Sequence, residues 1–244
     1  MDGNGQGRFR CLDGVVIERL ITTTASRSHN IVFLPGQEHS QTADNNIVPP
    51  ANDRQCLIDR MLQIAVDRNN LRETERVLSD GRCETPTLQS QQEALYEASK
   101  LGYAPLVECL LQGNRTTKLD VNAPTVKKLF SPLQAASASG HEPVVKMLLD
   151  AGADPNLVGG KYGTALQAAA FNGRINVIRL LLSREADVNQ CGGQDSYPLQ
   201  AAVGQGRRST TALLLNNGAS VLLLPEGLRI RAKSLAEEAG EGVH

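Results

Sequence analysis

One phrase, written three times at a single spacing, restricts the folds open to this chain more than anything else in it. Residues 132–156 read PLQAASASGHEPVVKMLLDAGADPN, residues 165–189 ALQAAAFNGRINVIRLLLSREADVN, and residues 198–222 PLQAAVGQGRRSTTALLLNNGASVL. Leu133, Leu166 and Leu199 stand 33 residues apart, and so do Gly140, Gly173 and Gly206. A repeat of that length implies helical units that cannot bury their apolar faces alone and must stack. The search for function therefore moves from enclosed pockets to exposed surfaces.

Each unit reads as two short helices. Ala135-Ala136, Ala168-Ala169 and Ala201-Ala202 give a first helix small enough to approach its neighbours closely. The second helix carries Val144-Val145 with Leu148-Leu149, and Val177-Ile178 with Leu181-Leu182. That spacing is a helical apolar stripe and not strand alternation. Gly140, Gly173 and Gly206 fall where the chain must reverse, which often needs a positive φ. Pro105 and Pro143 fall in the first turn of second helices, where a missing N–H costs little. Gly152 and Gly218 stop the second helix, and Glu185 holds the equivalent place in between. A left-handed Glu185 would carry a penalty on the order of 1–2 kcal/mol.

The same ruler runs backward. ALYEASKLGYAPLVECLLQGN (94–114) aligns Leu95, Ala98 and Gly102 with Leu133, Ala136 and Gly140 at an offset of 38, which places about five extra residues between Asn114 and Leu129. LQIAVDRNNLRETERVLSDG (62–81) puts Leu62, Ala65 and Leu78 33 residues before Leu95, Ala98 and Leu111. The expectation is an all-α solenoid of about five helix-turn-helix units, near 56–88, 89–126, 127–159, 160–192 and 193–225.

Residues 1–55, with their scattered Gly, Thr, Ser and Asn, show no sustained periodicity and read as a disordered N-terminal head with a short helix near Val15–Leu20. Residues 226–244 read as a charged helix from about Ala232 to Ala239, either a polar cap on the solenoid or a truncated sixth repeat.

Composition narrows the function. A net charge of -1 suggests neither a polyanion nor an acidic membrane as partner. No apolar run reaches the roughly 18–20 residues of a bilayer span, and Glu18 and Arg19 break the one apolar stretch near the N-terminus, so a secretory signal is not expected. Five scattered cysteines without a CxxC pair argue against a disulfide framework or a zinc site and for a reducing compartment. Asn114-Arg115-Thr116 matches a glycosylation acceptor of the kind that arises by chance. Of the four histidines, His141 reads as a helix-start residue, and no nucleophile–base arrangement suggests an enzyme. No cofactor and no metal are expected.

The phrases PLQAA, GHEPVVKMLL and GADPN resemble the ankyrin repeat, with its signature order kept through units three to five. Gln134, Gln167 and Gln200 stand where the family carries a histidine, and an amide can likewise donate and accept there. GGKYGTALQAAAFNG (159–173) resembles ankyrin arrays of filamentous fungi, many of which lie C-terminal to a nucleotide-binding NACHT domain. No GxxxxGK[ST] phosphate loop occurs in this chain, so it is not itself the NTPase.

The resemblance implies a non-catalytic scaffold that binds a partner protein on its concave surface. The partner-facing positions by alignment are Lys127, Lys128 and Phe130; Lys161, Tyr162, Phe171 and Asn172; Gln194, Ser196 and Gln205; with Lys100 and Leu101 in the second unit. Tyr162 and Phe171 stand out because the chain holds only eight Phe and Tyr, and aromatic residues are common interface hot spots. Their alternative is packing against a neighbouring unit, the reading preferred for Phe130. The remaining expectations are a protein partner, no nucleic acid and no membrane, a monomeric state, and an intracellular, cytoplasmic placement with the nucleus left open.

Overall fold

A computed structural model describes residues 51–79, 86–112, 119–124, 131–193 and 197–240. The expected N-terminal head, including the helix near Val15–Leu20, lies outside the described residues up to residue 50. Among the described residues the structure is helical, and the helices come in pairs: α1 (Ala51–Asp67) with α2 (Leu71–Ser79), α3 (Leu88–Leu101) with α4 (Ala104–Gln112), α5 (Pro132–Ser139) with α6 (Glu142–Asp150), α7 (Ala165–Asn172) with α8 (Ile175–Ser183), and α9 (Pro198–Gly204) with α10 (Arg208–Asn216). A 3-10 turn (Val221–Leu223) and α11 (Glu226–Glu238) follow. α1 starts at Ala51, a few residues before the first unit's expected start, because the polar run ahead of Leu62 continues the same helix.

The first helices α1, α3, α5, α7, α9 and α11 pack one on the next, and α2, α4, α6, α8 and α10 form a second layer beside them. Small side chains make the first layer possible: Ala136, Ala168, Ala169, Ala170, Ala201 and Ala202 are all buried. The second helices bury Val144, Val145 and Leu148, then Val177, Ile178 and Leu181, as the stripe requires, while Leu149 and Leu182 are half-buried at its edge. In the fifth unit Thr210 and Thr211 take the Val-Val places, and the buried Thr211 hydroxyl has no hydrogen-bond partner. Pro105 and Pro143 each stand second in their helix, as expected from the spacing.

Loops between units are tied by asparagines. Asn122, Asn156 and Asn189 donate through Nδ2 to the carbonyls of Gly152, Glu185 and Gly218, and accept at Oδ1 from the backbone N–H of Asp154, Asp187 and Ser220. Asn122 and Asn156 are 34 apart, against 38 for Leu95 and Leu133 and 33 for Leu133 and Leu166. Four of the five extra residues thus precede Asp120 and one follows Asn122. Glu185, in the second-helix stop position, has φ 63°, matching Gly152 at 93° and Gly218 at 87°. The left-handed conformation foreseen for it is present.

At the C-terminal end α11 runs from Glu226, not from Ala232: Pro225, at the N-cap position, lets the helix start before the repeat's own register. Ala232, Leu235 and Ala236 are buried 33 residues after Leu199, Ala202 and Val203, so the helix keeps the register of a sixth first helix. Its outer positions are Arg231, Lys233, Ser234, Glu237 and Glu238. The segment is a helix with a buried inner face and a polar outer one.

Candidate protein-binding face

The fingers that join units are fixed by the glutamines in the histidine slot. Gln134 accepts at Oε1 from Ser131 N–H (3.0 Å) and donates through Nε2 to the carbonyls of Leu157 (3.1 Å) and Gly163 (2.7 Å). Gln167 accepts from Thr164 N–H (2.7 Å) and donates to Gly192 O (2.7 Å). The hydroxyl oxygens of Ser131 and Thr164 accept in turn from the backbone N–H of Gln134 and Gln167 and close a capping box on each helix. One amide thus caps its own helix and holds the following finger. In the fifth unit Tyr197 takes the capping place and gives no side-chain cap.

The finger at 159–163 is closed by Gly159 N–H donating to Gly163 O at 2.7 Å. Gly193 of the next finger lies so close that a Cβ there would meet the Tyr162–Gly163 peptide. The tip presents Lys161 and Tyr162. The Tyr162 ring packs against Phe171 in the last turn of α7, with centroids 5.3 Å apart and planes inclined at 54°. Lys161 Nζ lies 5.8 Å from the Tyr162 ring centroid, within cation–π range. Both rings are half-buried, so packing and exposure share them. Phe171 is flanked in register by Ala138 and Gly204, and a Cβ on Gly204 would meet nothing within 4 Å. The aromatic pair therefore stands between two small residues, with open space beside it.

The other expected contact residues divide. Asn172 folds back, donating Nδ2 to Ala168 O at 2.9 Å. Gln205 is exposed at the end of α9. Lys100 is exposed and pairs with Glu97 at 3.4 Å, next to exposed Leu101. Lys127, Lys128, Phe130, Gln194 and Ser196 lie outside the described residues.

His141 stands at the start of α6, at the N-cap position, as the sequence suggested. It makes no side-chain cap, and its Nε2 instead reaches the carbonyl of Lys100 at 3.1 Å in the preceding unit. Arg174 and Arg207 repeat the contact, donating Nε to the carbonyls of Ala138 and Phe171, both at 3.3 Å. Each covers the preceding unit's reversal glycine: a Cβ on Gly140 would lie 2.8 Å from Arg174 Cδ, and one on Gly173 3.1 Å from Arg207 Cδ. These glycines are thus fixed by close approach as well as by φ values of 91° and 70°. The signal was available as the residue after each glycine, but its target one unit away was not.

Cys109 is half-buried against the core, and burial, with Glu75 adding to it, pushes its thiol above the ordinary value. No helix among the described residues is long and apolar enough to cross a membrane.

Residues 133–182, which hold this face from α5 through α8, match the family model for ankyrin repeats in many copies. The described helices form an ankyrin-repeat solenoid. Its third and fourth ankyrin repeats carry both capping boxes, the finger and the aromatic pair. No curated protein matches the chain.

Proposed function

We propose that this ankyrin array is a non-catalytic protein-binding module whose partner docks across the finger tip at Lys161–Tyr162 and the end of α7 at Phe171. The observation that carries this reading is the half-buried Tyr162–Phe171 pair standing between Ala138 and Gly204. The framework beneath is held by the two capping boxes. A stiff surface of that kind binds with little ordering cost of its own. Affinity capture with the wild-type chain and with Tyr162→Ala/Phe171→Ala, each checked by circular dichroism, tests it. The double variant should keep its helicity and lose the partners the wild type recovers. Equal recovery by both chains would overturn the proposal.

The wording of residues 159–173 supports a narrower version, in which the array is the recognition segment of a larger NACHT-type signalling protein of a filamentous fungus. Reading the genomic frame upstream of Met1 tests that version. A nucleotide-binding domain in frame is the expected result, and its absence would end it.

A further inference from the structure

We infer that the partner segment that docks here is an acidic peptide, clamped by Arg174 and Arg207 beside the aromatic pair; this rests on the docking face proposed above. Both arginines are exposed, and each spends only Nε on the fold, bonding to the last-turn carbonyl of the preceding first helix. Among the described residues their terminal nitrogens have no partner, and neither side chain forms an ion pair. Their stems lie over Gly140 and Gly173, where an added Cβ would come within 2.8 Å of Arg174 Cδ and 3.1 Å of Arg207 Cδ, and with Nε bonded this close seating orients the guanidinium groups before any ligand arrives. A guanidinium fixed by Nε with both terminal nitrogens open offers a two-pronged donor edge that suits a carboxylate. Preorganisation removes most of the ordering cost that makes exposed ion pairs weak.

Position adds the second half of the argument. Arg207 is bonded to the backbone of Phe171 itself, so one fork borders the aromatic patch directly. The two arginines occupy the same place in successive repeats, and packed helices lie about 8–10 Å apart, so the forks are separated by about that distance. Lys161, 5.8 Å from the Tyr162 ring centroid, adds a third positive charge at the aromatic pair. Arg208 is already engaged by Glu238 at 2.8 Å and is not counted. A polyproline-II segment rises about 3.1 Å per residue with three residues per turn, so two carboxylates three residues apart share one face and would reach both forks, with an apolar side chain from between them turned aside toward Phe171. A nucleic acid is the less favoured occupant, because the two rings pack on each other at 54° and spend part of their faces on that contact.

Fluorescence anisotropy on the full chain tests this with three probes: twelve-residue peptides holding two Glu three residues apart around a central Leu, the same peptides with Gln for Glu, and a single-stranded oligonucleotide. The Glu peptides should bind, weaken with added salt, and lose roughly tenfold or more in affinity to Arg174→Gln/Arg207→Gln. Lys146→Gln/Arg179→Gln, on the second helices, should leave that binding unchanged. If the arginines only cap helices, their variants will melt earlier yet bind the Glu peptides as the wild type does, which overturns the inference. Equal, Phe171-dependent binding of Glu and Gln peptides would keep the docking face and overturn the acidic preference. Binding of Glu peptides that neither the arginine pair nor Tyr162→Ala/Phe171→Ala alters would overturn face and preference together. Stronger binding of the oligonucleotide, or no binding by any peptide, would also overturn the acidic-peptide assignment.

Discussion

Replacing Glu185 by Gly should make this protein more stable, although it removes a charged surface side chain and adds backbone freedom. Glu185 sits at φ 63°, in a position that Gly152 and Gly218 fill in the neighbouring repeats. A side chain in that region costs on the order of 1–2 kcal/mol. The added freedom of glycine in the unfolded chain takes back about 0.4–1 kcal/mol. Nothing else is lost: the Glu185 carboxylate makes no ion pair among the described residues, and the contact from Asn156 goes to the Glu185 carbonyl, which glycine keeps. The net gain is about 0.5–1 kcal/mol, or a melting temperature about 1–4 °C higher in a domain of this size. The converse variant isolates the cause. Gly218→Ala adds a methyl that would touch nothing within 4 Å, so any loss it shows is conformational. It should cost about 1 kcal/mol or more. Thermal melts and urea titrations of both variants, followed by circular dichroism, measure the two effects. An unchanged or lower melting temperature for Glu185→Gly, together with a neutral Gly218→Ala, would refute the reasoning.

Thr211→Val should stabilise the fifth repeat by about 1 kcal/mol, because it removes a buried hydroxyl without a partner and restores the apolar residue that its neighbours carry; urea unfolding checks the sign. Gln134→Ala should cost about 2–3 kcal/mol, since it opens a capping box, strands the carbonyl of Leu157 and leaves that of Gly163 with only the Gly159 N–H; Gln134→His should recover part of that loss in the same assay. With its thiol pushed above the ordinary value and half-buried, Cys109 should react with iodoacetamide near neutral pH more slowly than exposed Cys56 and Cys191, as read by mass spectrometry.

What the sequence disclosed was whatever one unit could specify alone. Small residues in the first helix, the Val-Val/Leu stripe in the second and the glutamine in the histidine slot each act within one repeat or at a fixed register from it. Periodicity therefore exposed them, and it exposed Glu185 as the one misfit among stop residues. Features that depend on how far a side chain reaches into the next repeat were hidden. The letters at 141, 174 and 207 are His, Arg and Arg, which share no obvious signature, yet all three bond to a carbonyl one repeat earlier. Asn172 reads as a free surface amide and is folded onto its own helix. The ends were blurred for a related reason. α1 and α11 extend into polar stretches where no apolar period marks a boundary, and only the packing of Leu62 and Leu235 shows which turns belong to the array.

The most direct test of the account is hydrogen exchange of the whole chain, alone and saturated with a partner obtained by capture. The docking face proposed here predicts slowed exchange at residues 159–163 and 170–174, the finger and the end of α7, with the second helices α8 and α10 unchanged. Protection confined to α8 and α10, with the finger exchanging as in the free chain, would contradict it.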